Sequence, residues 1–221
     1  MGTVLLTGFE PFDGFADNPA MRVAEALHGA RIAEHVVESL VLPVVFGCDT
    51  ERVLPAIEKV RPHLVLSLGL AAAAPCIWVE RIALNLRREE GGEQPIIAQG
   101  PAAYFARLDA EAVACAIREA GVAAIAHVYA GNYLCNHVMY QVLHFLEERD
   151  WPCRAGFLHL PMASEQALVE RRLQCPSLPL AHIERGVRAA IESVCTSNPV
   201  IPRGPDRKST RLNSSHQIIS Y

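Results

Sequence analysis

The segment HLVLSLGL, residues 63–70, constrains the fold more than any other stretch. It is almost wholly apolar and has no polar face, which suits a central parallel strand covered on both sides. Strand-like and helix-like segments alternate around it. Thr3–Gly8 reads as a short apolar strand running into GFEPFDGF, a turn-rich loop that carries Phe9 and Phe12. Asn18-Pro19 signals a helix start, with Asn as cap and Pro at the first helical position, and Gly29 closes that helix. Val36–Val45 reads as a strand broken by Pro43, and Thr50–Val60 as a helix that either starts late or kinks at Pro55. Ile77–Leu86, IWVERIALNL, is a strand, and Arg87–Gln94, RREEGGEQ, a charged surface loop. Asp109 caps a helix to Ala120 that Gly121 stops, and Val122–Tyr129 reads as a buried strand. A helix ending near Arg149, the short strand Ala155–Pro161, a segment capped by Ser164 and an amphipathic helix over Leu180–Val194 complete the pattern. The order predicts a single-domain three-layer α/β/α sandwich with a mostly parallel central sheet.

The chain has 221 residues, 51% hydrophobic and 20% charged, enough for one full core, which we assign to residues 1–197. A net charge of −4 without a basic stripe before the extreme C-terminus argues against nucleic acid and for a small-molecule partner. No signal peptide or membrane-spanning run is found, so no membrane association and a cytoplasmic location are expected. Seven scattered cysteines without a CxxC pair indicate neither a disulfide framework nor a zinc cage, and no metal or cofactor is expected. Residues 198–205 read as a truncated C-terminal extension. Residues 206–221, DRKSTRLNSSHQIISY, match the in-frame translation of a sequencing-library adapter and are expected to be a non-native tail.

The chemistry centres on AGNYLCNHVMY, residues 130–140, where a turn passes into a helix at Cys135. Unpaired N–H groups and the positive end of the helix dipole there favour thiolate over thiol. A cysteine at that place is as consistent with packing as with catalysis. Glu80 interrupts an apolar strand, so it is either paired with an arginine at a wet edge or functional. His159 falls at the C-terminal end of a strand, where open α/β sheets bind ligands. Together the three form a mechanism: Cys135 attacks an acyl carbon, His159 moves the proton, and Glu80 orients the imidazole and stabilises its cation.

These residues lie in motifs that resemble the type I pyroglutamyl peptidases, a cysteine peptidase family also called pyrrolidone-carboxylate peptidases. The motifs are LLTGFEPFDGF (5–15), NPA (18–20), ERIALN (80–85), GPAAYF (100–105), AGNYLCNHVMY (130–140) and GFLHLP (156–161), in the family's order. The resemblance implies a phosphorylase/hydrolase-like sandwich and a metal-independent cytoplasmic enzyme. It would remove N-terminal pyroglutamate from peptides through a thioester, as a homo-oligomer, often a tetramer. It assigns catalysis to Glu80, Cys135 and His159, and the substrate pocket to Phe9, Phe12, Leu70, Tyr133 and Leu134. A flat, neutral lactam suits such apolar walls. Two departures stand out. A glycine-rich segment ending in arginine is replaced by Leu70–Pro75, and Pro75 has no N–H to offer. The Arg87–Gln94 loop is shortened, leaving Arg87 or Arg88 for the arginine that the family places near the oxyanion.

The rival expectations are a relative that binds pyroglutamyl-like ligands with weak turnover, and a nucleoside phosphorylase-like enzyme. The latter lacks a glycine-rich phosphate loop. A metal site on His137 and His144 lacks a third ligand.

Overall fold

An apolar segment with no polar face is covered on both sides only at the middle of a sheet, and residues 64–70 take that place here. The computed structural model describes residues 2–89 and 91–197, so the expected extension 198–205 and tail 206–221 lie outside the described residues. The chain runs β1 (Gly2–Phe9), α1 (Pro19–Ala26), β2 (Arg31–Ile32), β3 (His35–Leu42), α2 (Cys48–Val60), β4 (Leu64–Leu70), β5 (Ile77–Leu84), β6 (Arg87–Glu89), β7 (Gly92–Gln94) and β8 (Ala103–Phe105). It continues through α3 (Ala110–Glu119), β9 (Ala124–Tyr129), α4 (Leu134–Glu148), β10 (Arg154–Leu160), β11 (Met162–Ala163), α5 (Ser164–Val169), β12 (Ser177–Leu178) and α6 (Leu180–Thr196).

Among the described residues, eight strands form one sheet in the order β2-β3-β1-β4-β10-β5-β8, with β9 on the other side of β5. The pairs β1–β3, β1–β4, β4–β10 and β5–β9 are parallel. Pairs β2–β3, β5–β10 and β5–β8 are antiparallel. Helices α1, α3 and α6 pack against one face of the sheet, and α2 and α4 against the other. This is the expected sandwich. Strands β4 and β10 are buried along their whole lengths. Leu64, Leu66 and Leu68 of β4 each contribute about 1.5–3 kcal/mol by leaving water. Among the described residues, no helix is long and apolar enough to cross a membrane.

Local signals act as their chemistry dictates. Asn18 Oδ1 accepts from the Ala20 N–H at 3.0 Å with Pro19 in the first turn, and Asp109 Oδ1 accepts from the Ala112 N–H at 3.0 Å. Gly29 and Gly121 leave α1 and α3 at φ of 75° and 78°, where a side chain would be strained.

Five local expectations are corrected. Strand β9 is an edge, with Ile125 45% and Val128 61% exposed, because an apolar run looks alike at a sheet's centre or rim and only strand order decides. Phe9 ends β1 in the main core, 3% exposed, instead of standing on the loop. Helix α2 starts at Cys48 and runs through Pro55, which lies on its exposed side where water can take the missing bond. Arg87–Gln94 is a hairpin of β6 and β7, with ion pairs Arg87–Glu89 at 3.1 Å and Arg88–Glu93 at 3.3 Å. Ser164 makes no cap; its hydroxyl bonds the Ser177 hydroxyl at 3.1 Å.

Candidate active site

Side chains two residues apart on a strand share a face, and directly paired residues on neighbouring strands stand side by side. The register pairs Gly69 of β4 with His159 of β10, His159 with Trp78 of β5, and Glu80 of β5 with His127 of β9. A row therefore crosses four adjacent strands on the face covered by α4. Cys135, at the second position of α4, reaches down to the bare end of that row. A Cβ built on Gly69 would stand 2.8 Å from the Cys135 Sγ, so the absent side chain is what lets sulfur approach the strand.

His159 Nδ1 donates to Glu80 Oε1 at 2.6 Å, and Cys135 lies close enough to its ring to act on its charge. Glu80 is fully buried, which removes the wet-edge alternative, and among the described residues it pairs with no arginine: its second oxygen, Oε2, is 2.8 Å from His127 Nδ1. Burial opposes a charged imidazole at His159, but the attraction of Cys135 and Glu80 overrides it and pushes the pKa up to about 10. Burial raises the Cys153 thiol to about 12 and the Cys195 thiol to about 11, and raises Cys76 as well, which makes them poor nucleophiles at neutral pH.

The start of α4 is fixed by two buried polar anchors. Asn136 Oδ1 accepts from the Leu84 N–H at 2.8 Å, while its amide donates to the Leu84 and Leu86 carbonyls at 2.8 Å each, clamping the end of β5 to the turn that bears Cys135. His137 Nδ1 lies 2.8 Å from Asp49 Oδ2, both side chains buried, which ties α4 to α2. His144, weighed with His137 as a metal ligand, bonds the Tyr104 hydroxyl at 2.8 Å instead. Tyr133 precedes α4 without a side-chain cap, so the first-turn N–H groups lie open beside the sulfur.

The expected pocket residues separate. Phe12 and Leu70 meet in a small apolar cluster with Phe15, Ala72, Met162, Ala167 and Cys175. Tyr133 is 51% exposed and packs its ring against Phe46 at 5.3 Å. Phe9 and Leu134 belong to the main core. Arg87 lies over the Phe46 ring at 5.9 Å, whereas Arg88 pairs with Glu93 at the surface. A cavity of about 240 Å³ lined by Arg81, Phe105, Leu108 and Asp109 touches none of the catalytic candidates.

The model of the pyroglutamyl peptidase family matches residues 2–197. This chain belongs to the pyroglutamyl peptidase family. A pyrrolidone-carboxylate peptidase of Bacillus cereus is 36% identical over 204 residues, covering 89% of this chain and 94% of that protein. One from Bacillus anthracis matches to the same extent. A mutant pyrrolidone carboxyl peptidase from the hyperthermophile Pyrococcus furiosus superposes with a TM-score of 0.82 at 35% identity, over 87% of this chain and 97% of the other. The chain is thus a cysteine peptidase by family, with the fold of its solved relatives.

Sequence reasoning did not single out Gly69, Trp78, His127, Asn136 or the Asp49–His137 pair, which the fold gathers around this candidate site. Asn136 left a signal, a polar residue directly after Cys135 at the start of an apolar helix face. His127 left none, because its partner is defined by strand register.

Proposed function

We propose that the chain hydrolyses the bond after an N-terminal pyroglutamyl residue, with Cys135 as nucleophile, His159 as acid and base, and Glu80 as the group that orients and charges His159. The observation that carries this reading is the series Glu80–His159–Cys135, with Glu80 and His159 hydrogen-bonded at its buried end and Cys135 beside His159 at its more open end. The Cys135 sulfur adds to the pyroglutamyl carbonyl carbon, and the oxyanion faces first-turn N–H groups of α4. The imidazolium of His159 gives its proton to the departing amine, leaving a thioester. Water, deprotonated by His159, then cleaves the thioester to free pyroglutamate and regenerates the thiol. Atoms balance as peptide plus water to pyroglutamate plus shortened peptide.

Phe12, Leu70 and Tyr133 are our proposed walls for the lactam, with Phe9 and Leu134 contributing from the core. Arg87 is our choice for the arginine near the oxyanion. By family resemblance the working form is a cytoplasmic homo-oligomer, a tetramer.

One observation favours the alternative, a relative that binds such ligands and turns them over weakly. In the Leu70–Pro75 segment the Ala71 N–H is taken by the Leu160 carbonyl at 2.9 Å and the Ala74 N–H by the Ala71 carbonyl at 2.9 Å. Fewer backbone donors remain for a lactam. Release of a fluorogenic amine from a pyroglutamyl amide decides between the readings. Turnover by the wild type that vanishes in Cys135→Ala is expected, an active Cys135→Ala refutes the nucleophile, and a folded wild type without turnover puts the weak relative first. Glu80→Gln should slow the reaction less than loss of Cys135 does.

A further inference from the structure

The buried carboxylate of Glu80 serves two imidazoles, and only one of them reaches the sulfur. His127 stands beside Glu80 in direct parallel register, on the edge strand β9. Its Nδ1 lies 2.8 Å from Glu80 Oε2, while Oε1 takes the bond from His159. Its ring is stacked on Trp78 at 4.3 Å between centroids with planes 16° apart, and Trp78 also meets His159 edge-on at 6.3 Å. The His127 side chain is 29% exposed and Glu80 is fully enclosed. The outer ring nitrogen therefore has access to water while the inner one is directed at the carboxylate.

Resting on the assignment of Glu80, His159 and Cys135 as the reacting set, we propose that His127 is a positioning residue for the hydrolysis. Its Nδ1–H donates to Glu80 Oε2, which satisfies the second oxygen of the carboxylate in a dry site and fixes its plane so that Oε1 points at His159. A buried carboxylate oxygen without a donor is costly, and it favours the protonated acid. A protonated Glu80 gives the His159 imidazolium no support. His127 thus acts on the nucleophile through two hydrogen bonds without touching substrate. Trp78 holds the ring in the orientation this requires, since stacking leaves the imidazole one plane.

The charged and titratable surroundings of Glu80 are few. His159 faces it from β10 and His127 from β9. Cys135 approaches from α4 through His159, and the Tyr129 ring lies 6.5 Å beyond His127. Arg81 follows Glu80 on β5 and so projects from the opposite face, where it is exposed. Among the described residues, no cation other than an imidazolium pairs with the carboxylate along this row.

The test is kcat and KM for a pyroglutamyl amide, from about pH 5 to about pH 9, in the wild type, His127→Ala and His127→Asn. Asn is the conservative variant because its side-chain N–H occupies the place of Nδ1–H. His127→Ala is expected to lower kcat about tenfold, as befits a charge-assisted hydrogen bond acting at one remove, with KM within about twofold. Its acid limb in kcat moves to higher pH. His127→Asn restores kcat to within about twofold of wild type and returns the limb. The rate of Cys135 alkylation by iodoacetamide, which needs no substrate, shifts along pH in the same way. An unchanged kcat and acid limb in His127→Ala, or an Asn variant as impaired as Ala, overturns the proposal. Should His127→Ala not fold, His127→Asn against His127→Gln decides: the longer amide misplaces the donor, so equal activity of the two overturns it. Parallel assay of Cys135→Ala separates the two failures. An inactive Cys135→Ala beside an unaffected His127→Ala counts against His127 alone, and an active Cys135→Ala counts against the reacting set.

Discussion

Gly69→Ala tests the site through a single methyl group. The added Cβ would stand 2.8 Å from the Cys135 Sγ and 2.8 Å from the Phe157 ring. Phe157 is fully buried in a packed strand, so the ring yields little and the sulfur must give way by several tenths of an ångström. Overpacking of this kind costs about 1–3 kcal/mol, which for a domain of this size lowers Tm by roughly 2–12 °C. Shifting a nucleophile by a fraction of an ångström away from its attack geometry costs up to about 10²-fold in rate. The expected result is therefore a folded protein with kcat reduced about 10- to 100-fold and KM little changed. Gly186→Ala in α6 is the control, since its Cβ would meet Ile77 Cδ1 at 2.6 Å, on the far face of the sheet. The Ile77 tip can turn aside and a helix favours Ala over Gly, so this variant should lose less stability and keep kcat. The assays are amine release at substrate saturation and thermal unfolding by circular dichroism. Wild-type kcat in Gly69→Ala, or equal losses of kcat in both variants, would refute the claim that this glycine seats the sulfur.

Two further outcomes follow from the same geometry. Asn136→Ala strips partners from three backbone groups at the end of β5, so urea denaturation should show a loss of about 2–4 kcal/mol, together with reduced kcat as the α4 turn loosens. The pKa of His159 is raised from 6.5 to about 10, so its charge contributes stability that is complete below about pH 6.5 and disappears as pH rises through about 10. In Cys135→Ala the first of the attractions that lift it is gone, so the stability loss should begin at lower pH; urea midpoints across that window check this, and identical profiles would contradict it.

Helix boundaries were legible wherever a single side chain writes them. Asn18 with Pro19, Asp109 and Gly121 each act within a few residues, through bonds whose donors and acceptors are neighbours in the chain. The centrality of residues 64–70 was legible for a related reason, since a strand with no polar face has only one place to go. Phe9 and β9 show where such reasoning stops. Apolar character specifies burial somewhere, and neither the loop boundary after Gly8 nor the rim position of residues 124–129 is encoded by composition. The motifs also named Glu80, Cys135 and His159 as a set, but nothing local told whether Glu80 faced water.

The alternation of elements, the family and the chemical identity of a thiol, an imidazole and a carboxylate that could work together are written in the residues themselves. That Glu80 is dry, that Gly69 leaves room for sulfur, and that a second imidazole shares the carboxylate came from the packing of distant strands. Glu80 lies 47 residues from His127 and 79 from His159 along the chain. Which strands lie side by side and in what register is set by the packing of the whole core, because shifting a strand by one residue turns every side chain to the other face.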